Sequence, residues 1–147
     1  MTQEKTNAHD DWARNTLDKA VSDISALGII PDEILEARAL WSVPGKVMIG
    51  QARQAHEPSM FVWFISGDLP TDTIGPAAAA TPREALRNFS LKWQLDAEQY
   101  RDPATRKAHG LDESHDWNAM TARLIKKAEE LYAMADDDRL WHPAVKN

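Results

Sequence analysis

The chain of 147 residues carries a net charge of −6, contains no cysteine, and is 43% hydrophobic and 27% charged, proportions that are typical of a soluble globular protein. The acidic balance argues against general affinity for nucleic acids, because phosphate binding requires clustered lysine and arginine. The absence of cysteine excludes disulfides, thiol nucleophiles and thiolate zinc sites. The length suggests one domain over residues 1–147.

Both ends of the chain are expected to be flexible. Residues 1–9 are polar, and residues 142–147 follow the last predicted element. Met1–Lys5 lacks the basic-then-apolar order of a signal peptide, and no apolar run approaches the ~20 residues of a membrane-spanning helix. These features fit a cytoplasmic bacterial protein that does not enter a membrane.

Two helices are predicted before the first strand. Asp10–Leu27 is amphipathic, since apolar residues recur at three- and four-residue steps, and Gly28 is a natural stop. A shorter helix is predicted from Pro31 to about Leu40–Trp41. Proline suits a first helical turn, and the two acidic residues that follow it suit the positive end of a helix.

Two neighbouring strands are predicted in the middle of the chain. Lys46–Gln54 would place alternate side chains on two faces, and turn residues at 55–59 separate it from the apolar run Met60–Ile65. We expect the two to pair antiparallel, with the second as an interior strand covered on both sides. Two strands alone are marginal, so a third is predicted at Leu40–Val43 or near Ile74.

The strongest local signal is a capping box at Thr81–Glu84, in which Thr81 can bond the amide of Glu84 and Glu84 can reach back to Thr81. This helix is expected to end near Tyr100. Leu91 and Leu95 lie opposite its main apolar stripe, so the helix is either sandwiched inside the fold or presents one side to a partner. The main stripe comprises Leu86, Phe89, Trp93, Ala97 and Tyr100.

A last long helix is predicted at Ser114–Ala135. The pattern as a whole predicts an α+β fold, in which a small antiparallel sheet of two to four strands packs with about four helices. The six tryptophans either line an aromatic pocket or, in our preferred interpretation, act as core anchors that hydrogen-bond through their indole N–H groups.

The loop after the interior strand is the best candidate for a ligand site, because a rigid sheet positions it. Asp68 and Asp72 can form a carboxylate pair beside Ser66, and Arg83 and Arg87 can close over them. Such a set can bind a cation or perform acid–base work. We favour the alternative that these residues have a structural role only. The sequence Gly-Asp-Leu-Pro is typical of a turn, and aspartate side chains commonly accept hydrogen bonds from nearby backbone amides.

No catalytic, metal or cofactor site is predicted. The five histidines show no recognised ligand spacing. A His109, His115 and Asp116 metal site is the weaker alternative to solvated loop histidines. The phosphate-binding loop, the Gly-x-Ser-x-Gly elbow and the dinucleotide fingerprint are all missing from the sequence.

The blocks Trp63–Asp72 and Pro82–Gln94, with Trp41–Pro44 upstream, resemble an uncharacterised bacterial family, domain of unknown function 4826. The similarity covers roughly the middle half of the chain. It implies a small cytosolic bacterial domain and identifies no catalytic residue. In that pattern an aromatic residue often follows the second aspartate of the loop. Thr73 stands there in this chain, which weakens an aromatic-stacking role for the loop.

Two functions are therefore predicted. The first is a non-catalytic interaction module, an adaptor or immunity-like inhibitor, that binds a protein partner or forms a homodimer through Leu91 and Leu95. The second is a small enzyme or ligand-binding protein that uses the loop of Ser66, Asp68 and Asp72 with Arg83 and Arg87. We favour the first because of the acidic balance, the missing nucleophile motifs and the second apolar side at Leu91 and Leu95.

Overall fold

A computed structural model describes residues 2–27, 35–54, 57–108, 110 and 116–141. The chain divides into two compact units, residues 1–85 and 86–147. The prediction of an α+β fold is confirmed. The helices and strands are α1 (Thr2–Leu27), β1 (Leu35–Val43), β2 (Val47–Gln54), β3 (Glu57–Gly67), β4 (Asp72–Ile74), a 3₁₀ turn (Pro76–Ala78), α2 (Pro82–Arg101), α3 (Pro103–Ala108), α4 (Trp117–Asp136) and α5 (Asp138–Trp141).

The first unit contains a four-stranded sheet of order β1-β2-β3-β4, in which all neighbours are antiparallel. The predicted pairing of the two central strands is confirmed, with Gln51 opposite Trp63. Both regions proposed for a third strand are strands, since β1 includes residues 40–43 and β4 includes Ile74.

The prediction of a helix from Pro31 to about Leu40–Trp41 is wrong where the structure describes these residues, because from Leu35 onward they form strand β1. Residues 28–34 lie outside the described residues. At the start of β1, Ala37 packs against the core while Glu36 and Arg38 are exposed, as in a half-buried strand. The alternation is interrupted at Ala39 and Leu40, which are both exposed and lie at a register shift. Pairing with β2 therefore outweighs the helix-start signal of the preceding proline.

Helix α1 covers one face of the sheet. It begins at Thr2, eight residues before the predicted Asp10. Ala20 and Ile24 form a buried cluster with Met48, Ala52 and Phe64. Gly50 allows this packing, because a Cβ atom there would lie 2.2 Å from the carbonyl oxygen of Arg38 and 2.5 Å from the Phe64 ring.

The opposite face of the sheet carries Val47, Ile49, Trp63 and Ile65, which are all buried. The indole N–H of Trp63 donates a 3.0 Å hydrogen bond to the carbonyl of Ala79, just after the 3₁₀ turn. This bond satisfies the polar atom of a buried tryptophan, as expected for a core anchor.

The predicted capping box starts α2. The amide of Glu84 donates to the Thr81 hydroxyl at 3.1 Å, and the Glu84 carboxylate accepts from the amide of Ala80 at 2.8 Å. The carboxylate thus reaches an amide one residue earlier than the predicted one. A cap of this kind stabilises a helix by about 0.5–2 kcal/mol.

The second unit is helical. The buried hydroxyl of Ser90 on α2 donates a 2.8 Å hydrogen bond to the carbonyl of Ala128 on α4. Arg106 of α3 donates to the carbonyl of Tyr100, and its guanidinium lies 5.9 Å from the centre of the Trp117 ring. Helix α4 begins at Trp117, capped by Asp116, rather than at Ser114, which lies outside the described residues.

None of the helices in the described part of the chain has both the length and the apolar character needed to cross a membrane.

Candidate functional site

The loop that follows β3 is fastened to helix α1 by a hydrogen-bonded cluster. The hydroxyl of Ser66 lies 2.8 Å from that of Thr71, which donates to Asp23 Oδ2 at 2.6 Å. Lys19 Nζ lies 3.3 Å from Ser66 Oγ, 3.3 Å from the carbonyl of Leu69 and 3.4 Å from Thr71 Oγ1. One ammonium, one carboxylate and two hydroxyls therefore satisfy one another across α1, β3 and the loop.

Glycine at position 67 permits the shape of this loop. Its φ is +129°, a conformation that L residues rarely adopt, and a Cβ atom would lie 2.6 Å from the carbonyl oxygen of Lys46. The next amide, that of Asp68, donates to the same carbonyl at 2.9 Å. The chain thus leaves the sheet while still hydrogen-bonded to Lys46, the residue before β2.

The chemistry available at the Ser66 cluster is limited by burial. Ser66 is 0% exposed, and its hydroxyl is engaged by Thr71 and Lys19. Lys19 and Asp23 also form an ion pair at 3.5 Å, with both side chains more than a third exposed, and such a pair contributes about 0–1 kcal/mol. The arrangement is suited to holding the loop and offers no accessible nucleophile at Ser66.

The other predicted ligand-site residues are placed differently. Asp72 pairs with Ile65 in the sheet, so it lies on the opposite face from Ser66, which contacts α1. The Asp72 carboxylate accepts from the amide of Thr73 at 2.8 Å. Asp68 is exposed in the bend after β3, and Arg83 lies in the first turn of α2.

Arg87 belongs to the second unit, on the exposed side of α2. The structure therefore brings Ser66 together with Thr71, but separates Ser66 from Asp72 by the thickness of the sheet. The use of Ser66, Asp68, Asp72, Arg83 and Arg87 as one ligand site stays a prediction.

Sequence reasoning missed Lys19 and Asp23 at this loop. They stand four residues apart on α1, a spacing that places them on one side of the helix. That spacing is the only feature of the sequence that points to these two residues, and it predicts no more than an ion pair within the helix. Nothing local connects it with a loop about 50 residues later.

The predicted interface residues Leu91 and Leu95 are 47% and 66% exposed. They stand four residues apart on α2 and so form one ridge, which we call the Leu91–Leu95 ridge. Arg87 and Glu98 lie on the same side of the helix, before and after the leucines. The main stripe of the prediction is buried, as Phe89, Trp93 and Ala97 show.

No three histidine, aspartate or glutamate side chains come together as a possible metal site within the described ranges of the chain. The weaker alternative of the sequence analysis is a metal site formed by His109, His115 and Asp116. His109 and His115 lie outside those ranges. Asp116 serves as the cap of α4, where it accepts from the amide of Ala119 at 3.1 Å.

Comparison with known protein families gives a match whose function is unknown. A family described as domain of unknown function (DUF4826) matches residues 6–141. Neither the curated proteins nor the solved structures contain a match to the chain.

Proposed function

The chain belongs to the DUF4826 family, and from this premise we propose that it is a non-catalytic protein-interaction module of the bacterial cytoplasm, which pairs with a second copy through the Leu91–Leu95 ridge. The observation that carries the proposal is the exposure of both leucines, 47% and 66%, on a helix whose other side is buried. Two adjacent exposed leucines are a small apolar surface of the kind that contact sites present.

The charges around the ridge favour a second copy as its occupant. Arg87 lies six residues before Trp93 and Glu98 lies five residues after it. At 1.5 Å per residue these positions are about 9 Å and about 7.5 Å from the middle of the ridge. In an antiparallel pair of α2 helices related by a two-fold axis, each Arg87 therefore faces Glu98 of the other copy, while Leu91 packs on Leu95.

A two-fold contact of this kind uses the same patch on both copies, so each charge pair forms twice. Glu98 also pairs with Arg101 of its own helix at 3.1 Å, and its side chain is 65% exposed. A ridge of two leucines is small, so the dimer is weak, with a dissociation constant on the order of 10–100 μM.

Sedimentation velocity over a range of protein concentrations tests this proposal. The wild type is expected to shift from monomer to dimer as concentration rises, and Leu95→Glu is expected to remain monomeric. Met60→Glu is the matched control, because Met60 is 62% exposed and lies in the first unit. A wild type that stays monomeric at every concentration, or a Met60→Glu variant that loses the dimer equally, would overturn the proposal.

The second candidate is a ligand site at the Ser66–Asp72 loop with Arg83 and Arg87. The hydrogen bonds of Ser66, Thr71 and Asp72 support a structural use of the loop, since each bond closes on a neighbouring protein group. For this reason the interaction module is the better-supported function.

A further inference from the structure

Strand β1 forms an open edge of the sheet. It is the first strand of the order β1-β2-β3-β4, and no strand lies on its outer side within the described part of the chain. An edge strand directs part of its backbone N–H and C=O groups away from the sheet, where they can pair with another extended chain. Glu36, Arg38, Ala39 and Leu40 are exposed, so this edge faces solvent.

The regular part of this edge is short. The register of β1 with β2 shifts between Ala39 and Trp41, and such an irregularity interrupts the pairing of a strand. An added chain is therefore expected to pair along residues 35–39, so that about five of its own residues take part.

A cleft beside this part of the edge contains two arginines. It has a volume of about 420 Å³ and is lined by Glu36, Ala37, Arg38 and Arg53. In the register of the two strands, Arg38 lies opposite Gln51 and Glu36 lies opposite Arg53. The two arginines are thus diagonal neighbours on one face, about 7–8 Å apart, and both can reach the same acidic group.

The cleft is positively charged in a chain of net charge −6. Arg38 and Arg53 stand against one carboxylate, that of Glu36. None of the three forms an ion pair with any residue that the structure describes. A guanidinium group can donate two parallel, charge-assisted hydrogen bonds to a carboxylate, so the chemistry of the cleft suits an acidic side chain.

We propose that β1 binds an extended acidic segment of a partner protein by strand addition. The backbone of the segment pairs with residues 35–39, and a glutamate opposite Arg38 places its carboxylate between Arg38 and Arg53. Glutamate suits this position better than aspartate, because Arg53 lies on the second strand from the edge. In complexes of this kind main-chain hydrogen bonds give affinity, and a pocket for an alternate side chain gives specificity.

A second copy of the chain fits this edge less well than an acidic segment. Pairing two β1 edges would bring two clefts of the same positive charge together. Even if each Glu36 faced Arg38 of the other copy, Arg53 of both copies would lack a carboxylate. The cleft and the edge lie wholly in the first unit, so this proposal is independent of the Leu91–Leu95 ridge and goes beyond the dimer.

A capped peptide with one central glutamate, acetyl-Ser-Val-Thr-Glu-Thr-Val-Ser-amide, is a suitable probe. In a ¹H–¹⁵N NMR titration of the full chain, it is expected to shift the amides of residues 35–39 saturably, with a dissociation constant on the order of 0.1–1 mM. The same peptide with glutamine in place of glutamate should bind about tenfold more weakly, because it loses the charge-assisted hydrogen bonds.

Two variants test the role of the cleft. Arg38→Gln should weaken binding of the glutamate peptide to the level of the glutamine peptide. Arg123→Gln makes the same change of charge at an exposed position of α4 in the second unit, and it should leave the binding unchanged. Hydrogen exchange of the β1 amides should become slower when the glutamate peptide is bound, because its backbone pairs with the strand.

Three results would overturn this proposal. The first is the absence of saturable shifts in β1, and the second is equal binding of the glutamate and glutamine peptides. The third is self-association that persists in Leu95→Glu and is lost in Arg38→Gln, because that result would make a second copy the occupant of the edge.

Discussion

The hydroxyl of Thr71 donates a 2.6 Å hydrogen bond to Oδ2 of Asp23, across 48 positions of sequence. The same hydroxyl lies 2.8 Å from the buried Oγ of Ser66. Thr71 is therefore the central member of the cluster that fastens the loop to α1, and the cluster gives Ser66 and Thr71 hydrogen-bond partners within the protein.

Thr71→Val is expected to lower the free energy of unfolding by about 1–2 kcal/mol, because it removes the bond to Asp23 and one of the partners of buried Ser66. Lys19→Met is expected to cost less, about 0–1 kcal/mol, because that side chain is partly exposed and its contacts are longer. Urea unfolding monitored by circular dichroism measures both. A larger loss in Lys19→Met than in Thr71→Val would show that the charge, rather than the hydroxyl, holds the loop.

Gly50→Ala is expected to destabilise the protein by about 3 kcal/mol or more, because the new methyl group would lie 2.2 Å from a backbone oxygen of the neighbouring strand. Gly75→Ala is the matched control. A Cβ atom at position 75 would have no atom beyond its chain neighbours within 4 Å, and the φ of Gly75 is −67°, so this variant should be neutral or stabilise by about 0.4–1 kcal/mol. Thermal unfolding compares the two, and similar melting temperatures would contradict the close strand packing at Gly50.

Thr81→Ala is expected to lower the free energy of unfolding by about 1 kcal/mol, since it removes the hydroxyl that accepts from the Glu84 amide. Thr81→Ser keeps that acceptor and is expected to restore most of the loss. Equal stability of the alanine and serine variants in chemical denaturation would indicate that the cap contributes nothing to α2.

The parts of the fold that are predictable from sequence have local causes. The cap at Thr81 and Glu84 lies within four consecutive residues, and the pairing of β2 with β3 follows from an alternating segment and an apolar run separated by turn residues. Helical spacing alone places Leu91 and Leu95 opposite the main stripe, whereas their exposure, rather than burial inside the fold, is given by the structure.

The remainder depends on distant contacts. The sequence around strand β1 predicts a helix because Pro31 favours a helix start, whereas the pairing of β1 with β2 decides the outcome. Lys19 and Asp23 contact the Ser66 loop although they lie about 50 residues away from it in sequence. The burial of the Thr121 hydroxyl without a hydrogen-bond partner among the described residues is likewise a result of the folded structure, which no local pattern predicts.

Sedimentation velocity on two charge-reversal variants and their combination tests whether α2 pairs antiparallel with α2 of a second copy. Arg87→Glu and Glu98→Arg should each raise the dissociation constant of the dimer about tenfold, because each places like charges opposite one another. The double variant restores opposite charges at both sites, so its dissociation constant should return to within about threefold of the wild type. A double variant as weak as the two single variants would contradict the antiparallel geometry.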